Sequence, residues 1–209
     1  MTAAKTVKVW DLPVRLFHWS LVASFAISYI SGEELETLHA WVSYIIIALI
    51  LFRVVYGFVG SKYARFSDFL TSPAAVMAYV KNLFSGSPKH YLGHNPAGGW
   101  MIMVLLVSLA LSSWTGLKAY AEEGHGPLAS NDISLINSAY ADSDDDDDRN
   151  NNAKQSGEPE DEFWKDLHEF FVNFTLLMIF VHVAGVVVSS RLHKENLVKA
   201  MMTGKKSAE

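Results

Sequence analysis

The chain contains no cysteine. Disulfides, thiolate metal sites, iron–sulfur clusters and covalent haem attachment through a C-x-x-C-H motif are therefore excluded, and any bound metal must be held by His, Met or carboxylate groups. Nucleotide-binding glycine loops and a nucleophilic triad are missing too, as is a soluble segment large enough to host a second cofactor. No nucleic-acid partner is expected. The N-terminal stretch MTAAKTVKVWDLPVRLFHW places basic residues before an apolar run without a small-residue cleavage pattern after it, so the first helix is read as retained.

Charge is sparse, at 19% of 209 residues, and unevenly placed, while half of the chain is apolar. A helix needs about 20 mostly apolar residues to cross a hydrocarbon core about 30 Å thick. Four segments meet that need, at residues 14–31, 39–59, 98–118 and 163–190. The first is rather short. The mean hydropathy of +0.16 is low for a membrane protein, because the polar stretch from Ala121 to Glu162 dilutes the average. The expected fold is all-α, an integral membrane four-helix bundle forming a single domain over residues 1–209.

Short cytoplasmic loops accumulate Lys and Arg. With both termini cytoplasmic, the inner side collects Lys5, Lys8, Arg15, Arg53, Lys62, Arg65, Lys81, Lys89, Arg191, Lys194, Lys199, Lys205 and Lys206. Only Lys118, Arg149, Lys154 and Lys165 remain outside, beside Glu33, Glu34, Glu36 and the acidic run. The outer loop at 121–162 holds ADSDDDDDRNNNAKQSGEPEDE, which buries too little apolar area to fold and is expected to be disordered. Its alternating aspartates resemble a calcium loop, but Asp142 to Ala153 lacks the central glycine and terminal glutamate. On the inner side, SDFLTSPAAVMAYVKNLF reads as a surface helix starting near Pro73. No internal repeat is visible.

Metal-binding side chains within spans face a bundle interior or a cofactor, because lipid penalises them. His168 and His182 lie nearly four turns apart on the fourth helix, on one face and about 21 Å from each other. Depth pairs His168 with His39 at the outer level and His182 with His18 at the inner level. Two facing neutral imidazoles fill both axial positions of a haem iron, which suits electron transfer. The alternative is a set of structural histidines hydrogen-bonded across helices. A shared transition-metal site is excluded by the separation along the helix. Arg53 follows His39 by the same interval and faces the inner level, where a haem propionate is its natural partner. Arg15 can serve the same edge, and Gly185 leaves room for a flat macrocycle.

The segments VWDLPVRLFHW, LHAWVSYIIIALILFRVVYGFVG, KHYLGHNPAGGW and LHEFFVNFTLLMIFVHVAGVVVSSRLHKENLVKAMMTGKK resemble the bacterial cytochrome b561 family, which includes b-type cytochrome subunits of nickel–iron hydrogenases. The resemblance covers nearly the whole chain. It implies two non-covalent haems b ligated from helices one, two and four, at His18, His39, His168 and His182, and exchange with a quinone pool. It also directs attention to His94, Asn95 and Gly98 as a quinone site, although Asn95, Pro96 and Gly98 equally make a turn and a helix start. The Asp144 to Asp148 run has no counterpart in the family pattern.

The expected function is electron transfer in the bacterial inner membrane, between quinone and a periplasmic or membrane-bound redox partner such as a cytochrome c, a dehydrogenase or a hydrogenase subunit. Attraction of a basic partner is one use for the acidic loop. A superoxide:quinone oxidoreductase is a second reading, disfavoured by that acidity, and a haem-free membrane anchor for a soluble enzyme is a third.

Overall fold

The computed structural model describes residues 6–32, 34–86, 89, 91–129 and 159–207. The aspartate run and most of the expected outer loop lie outside these residues. Among the described residues the chain is helical except for one short ribbon. In order it forms β1 (Thr6–Lys8), α1 (Leu12–Ser31), α2 (Glu36–Val59), α3 (Phe66–Phe69), α4 (Pro73–Phe84), α5 (Pro96–Glu122), α6 (Pro159–Leu192), α7 (Leu197–Thr203) and β2 (Lys205–Ser207). Two compact units divide it, Met1–Ala110 with Phe174–Glu209, and Leu111–Asn173.

Three helices are long and apolar enough to cross a membrane: α2, α5, and α6 over Glu162–Leu192. Helix α1 is not among them, because Arg15, His18, Ser20, Ser24, Ser28 and Ser31 dilute its apolar residues. The protein is accordingly an all-α membrane protein, and the apolar side chains that α6 exposes, such as Phe180, Val183 and Val187, are suited to lipid.

In the larger unit, Asp11 starts α1 by accepting a hydrogen bond from the Val14 amide at 3.1 Å, with Pro13 in the first turn. Helix α1 packs along α2. The buried stripe of α2 is Val42, Ile46, Ile50, Arg53 and Gly57, the spacing of a single helical face. Its apolar part meets Leu109 of α5, with Leu21 and Phe25 of α1 packed against it. Further along that face Gly57 has no side chain because the Phe66 ring occupies the place its Cβ would take.

Both ends of the chain meet in the ribbon, where β1 pairs antiparallel with β2 and Val7 stands opposite Lys206. The Val9 and Trp10 amides extend the pairing to the Gly204 carbonyl, at 2.9 and 3.2 Å. Gly204 closes α7 with φ at 80°, a left-handed turn that glycine adopts without strain. Arg15 donates to the Met202 carbonyl. Lys206, counted in the sequence among the inner-side basic residues, is buried: its ammonium pairs with Glu195 at 3.1 Å and donates to the Tyr91 carbonyl at 3.1 Å.

The smaller unit contains the second half of α5 and the first turns of α6. Lys165 pairs with Glu123 at 2.7 Å, and the Lys118 ammonium lies 5.6 Å from the Trp164 ring centroid.

Removing one partner of a buried ion pair costs about 3–5 kcal/mol, because the other charge is left in a poorly polarisable site. Glu195→Ala is expected to destabilise the ribbon by about 3 kcal/mol, seen as faster hydrogen exchange at the Val9 and Trp10 amides; unchanged exchange there would show that the pair does not hold the clasp.

Candidate functional site

The four span histidines stand on three helices, His18 on α1, His39 on α2, and His168 and His182 on α6. His39 stands in the first turn of α2, and its Nδ1–H donates to the Ser28 carbonyl of α1 at 2.8 Å. Ser28 Oγ lies 3.3 Å from the same nitrogen and 3.4 Å from Ser43 Oγ, one turn beyond His39. In the other unit, His168 Nδ1–H donates to the Ser112 carbonyl of α5 at 2.9 Å, with Thr115 Oγ1 at 3.5 Å. A carbonyl can only accept, so both rings carry their proton on Nδ1 and the lone pair on Nε2. That is the tautomer and the second-sphere contact typical of a metal-ligating histidine.

His18 on α1 and His182 on α6 form the second set. His182 lies close enough to act electrostatically on both His18 and His94. Around them are buried polar atoms without a hydrogen-bond partner, namely His18 Nδ1, Arg53 Nη1, Arg15 Nε and His94 Nδ1, with Thr71 Oγ1 as the other such atom among the described residues. Arg53 is only 3% exposed. Its guanidinium carbon lies 5.1 Å from the Phe66 centroid and 5.8 Å from that of Phe69. Those contacts are worth about 1–2 kcal/mol, less than the several kcal/mol that burying a cation costs. Asp11 and Tyr56, which are hydrogen-bonded to each other, lie within electrostatic reach of Arg53. Burial alone raises the Asp11 carboxyl, but bonds from Tyr56, Ser61 and the Val14 amide outweigh it and hold the group below its ordinary value.

His94 is enclosed by aromatic rings, with Trp10 at 4.4 Å and Phe69 at 4.9 Å between centroids. Burial, then the charges of Arg53 and Lys206 and the nearby His182, push its pKa down from 6.5 to about 3. It is neutral at physiological pH. Asn95 is committed to starting α5: its Oδ1 accepts from the Gly98 amide at 2.7 Å. Arg15 spends one nitrogen on α7, and no atom lies within 4 Å of where a Cβ on Gly185 would stand.

The profile of the prokaryotic cytochrome b561 family matches residues 9–204. The chain belongs to that family. The relatives it resembles include two proteins named probable Ni/Fe-hydrogenase B-type cytochrome subunit. One, from Azotobacter vinelandii, is 25% identical over 95% of this chain and 87% of the relative. The other, from Azotobacter chroococcum mcd 1, is 28% identical with the same coverage. No solved structure matches. As a family member the protein is a membrane b-type cytochrome of electron transfer, whose cofactor is haem b.

The residues fit that group. Imidazoles tied at Nδ1 suit axial ligation, and the buried guanidinium of Arg53, with no ion-pair partner at contact distance among the described residues, suits a propionate. Residues that sequence reasoning missed are Ser28 and Ser112, whose carbonyls accept the histidine protons, and the enclosing rings Trp10, Phe66 and Phe69. The serines in α1 were a signal, since hydroxyls inside a span need a reason.

His94 generates a pH dependence. An unfolded chain binds a proton at this ring below about 6.5 and the folded chain only below about 3, so stability is full above that window and falls across it. The loss is at most about 1.4 kcal/mol per pH unit. Thermal unfolding in detergent is expected at a lower temperature at pH 5 than at pH 7.5, with the difference reduced in His94→Phe; an equal difference in that variant would assign the dependence to other groups.

Proposed function

We propose that the protein is a four-span, di-haem cytochrome of the bacterial inner membrane, with both termini in the cytoplasm, carrying electrons between the quinone pool and a redox partner complex. The observation that carries the reading is the shared tautomer of His39 and His168, each presenting Nε2 from an apolar span. In this reading His18 and His182 hold the inner haem, and His39 and His168 hold the outer one, as their depths along the helices require.

The four-span topology draws support from the terminal ribbon. The pairing of β1 with β2 supports a topology with both ends on one side and therefore an even number of crossings. Three helices meet the length and apolarity of a span, and α1 supplies the fourth. Together they make one four-helix transmembrane domain.

Haem b supplies a one-electron iron couple when bound. The chain's own part is positional and electrostatic. The spans set the two ligand pairs about 21 Å apart at the level of α6. Arg53, and secondarily Arg15, neutralise propionate charge at the inner level. His94, with Asn95 and Gly98 beside it, forms the quinone site: a neutral imidazole offers a donor to a quinone carbonyl or an acceptor to a quinol hydroxyl, and Trp10 and Phe69 exclude water around it. The hydrogenase-subunit names of the relatives favour a membrane-bound hydrogenase or a similar dehydrogenase as the partner. A cytochrome c attracted to the Asp144–Asp148 run is the other partner compatible with this charge pattern.

The purified protein is expected to contain two haems b per chain. His18→Ala and His182→Ala should each lose the inner haem and keep the outer, while His39→Ala and His168→Ala do the reverse. A single haem in the unaltered protein, or loss of both on every substitution, contradicts the assignment. His94→Ala should keep both haems and slow their reduction by a quinol analogue at least tenfold; reduction at the original rate would remove His94 from the quinone site.

A further inference from the structure

The pattern Ser-x-x-Ser/Thr-Gly occurs twice in the chain, at Ser28–Gly32 and Ser112–Gly116, and nowhere else. The first copy ends α1 and the second lies in the last third of α5. In each, two side-chain donors converge on the first serine's carbonyl. Ser28 O takes one from Ser31 Oγ at 3.2 Å and one from His39 Nδ1 at 2.8 Å. Ser112 O takes one from His168 Nδ1 at 2.9 Å and lies 3.0 Å from Thr115 Oγ1, whose one proton it shares with Leu111 O at 2.9 Å. The serines and the threonine are all buried.

Hydroxyls in apolar helices commonly fold back on a carbonyl a turn earlier to satisfy themselves. Ser108 does so, donating to Leu105 O at 3.1 Å. The two copies differ from this ordinary case in that the carbonyl chosen is the acceptor of a histidine proton. Two donors on one oxygen compete for its electron density. The hydroxyl therefore weakens the ring's hydrogen bond, and a ring that holds its Nδ1 proton more tightly is a poorer electron donor at Nε2.

We infer that the two Ser-x-x-Ser/Thr-Gly copies are matched redox-tuning cradles, in which Ser31 and Thr115 set the electron donation of His39 and His168 to bound iron. The inference rests on these histidines being the outer haem ligands. Ser31 and Thr115 act as positioning residues that raise the outer potential, because weaker donation disfavours oxidised iron. The glycine ending each copy makes room for the ring to different degrees. A Cβ on Gly116 would stand 2.9 Å from His168 Cε1 and 3.0 Å from Nδ1, whereas on Gly32 it would stand 3.6 Å from His39 Nδ1, an ordinary contact.

The test is potentiometric titration of the purified holoprotein, followed by its visible spectrum. Ser31→Ala and Thr115→Val should each shift the outer haem to a lower midpoint potential, the double variant further than either, with the inner haem unmoved. Thr115→Ser should restore the original value. Gly116→Ala should lower outer-haem occupancy and Gly32→Ala should not. If His39→Ala and His168→Ala leave the haem content intact, the ligand assignment fails and the cradles with it. If those variants lose the outer haem while Ser31→Ala and Thr115→Val leave its potential unmoved or raise it, the cradle inference alone is overturned.

Discussion

A polar group inside an apolar span must find a partner there, since the hydrocarbon offers none. The histidines and Arg53 meet this constraint in opposite ways. His39 and His168 have their ring protons taken by helix carbonyls, so each ring is held in one orientation and one tautomer before any cofactor arrives. Arg53 reaches neither a carboxylate nor a carbonyl with its buried Nη1, and the two phenyl rings beside it offset only part of its desolvation. The first arrangement is preorganised. The second leaves a buried cation whose desolvation favours an anion beside it.

That contrast gives the two kinds of histidine surroundings different characters. Near His39 and His168 the surroundings are small hydroxyls and glycines that control a ring through a carbonyl. Near His18 and His182 they are aromatic and cationic, with His94 kept neutral by burial and by its basic neighbours. A neutral histidine walled by Trp10 and Phe69 does not store a proton at physiological pH; it can only pass a hydrogen bond from one side of its ring to the other.

Much of this was legible from residue order. The spans at 39–59, 98–118 and 163–190 correspond to α2, α5 and α6, whose ends extend several residues beyond them because amphipathic turns continue into the headgroup zone. The helix start near Pro73 appears as expected in α4, while α1 starts two residues before the expected span, behind the Asp11 cap, which follows the same local capping rules but was not named. Asn95 had two readings in the sequence, and its side chain is engaged as a cap. The terminal ribbon was not legible: strands of three residues at opposite ends of a chain carry no periodic signal, and Lys206 looks like any exposed lysine until Glu195 closes on it. The repeated serine pattern escaped because five residues, recurring only after three intervening helices and their loops, do not register as an internal repeat. Its meaning lies in backbone carbonyls, which residue names do not display.

The ribbon also imposes an order in time. Strand β2 follows every described helix, so its pairing with β1 cannot form until all of those helices have been synthesised. Trp10, whose backbone is fixed by Gly204, is one wall of the His94 enclosure. The His94 enclosure is therefore completed only after the last described helix has been made, and a chain lacking Gly204 would leave the Trp10 wall unanchored.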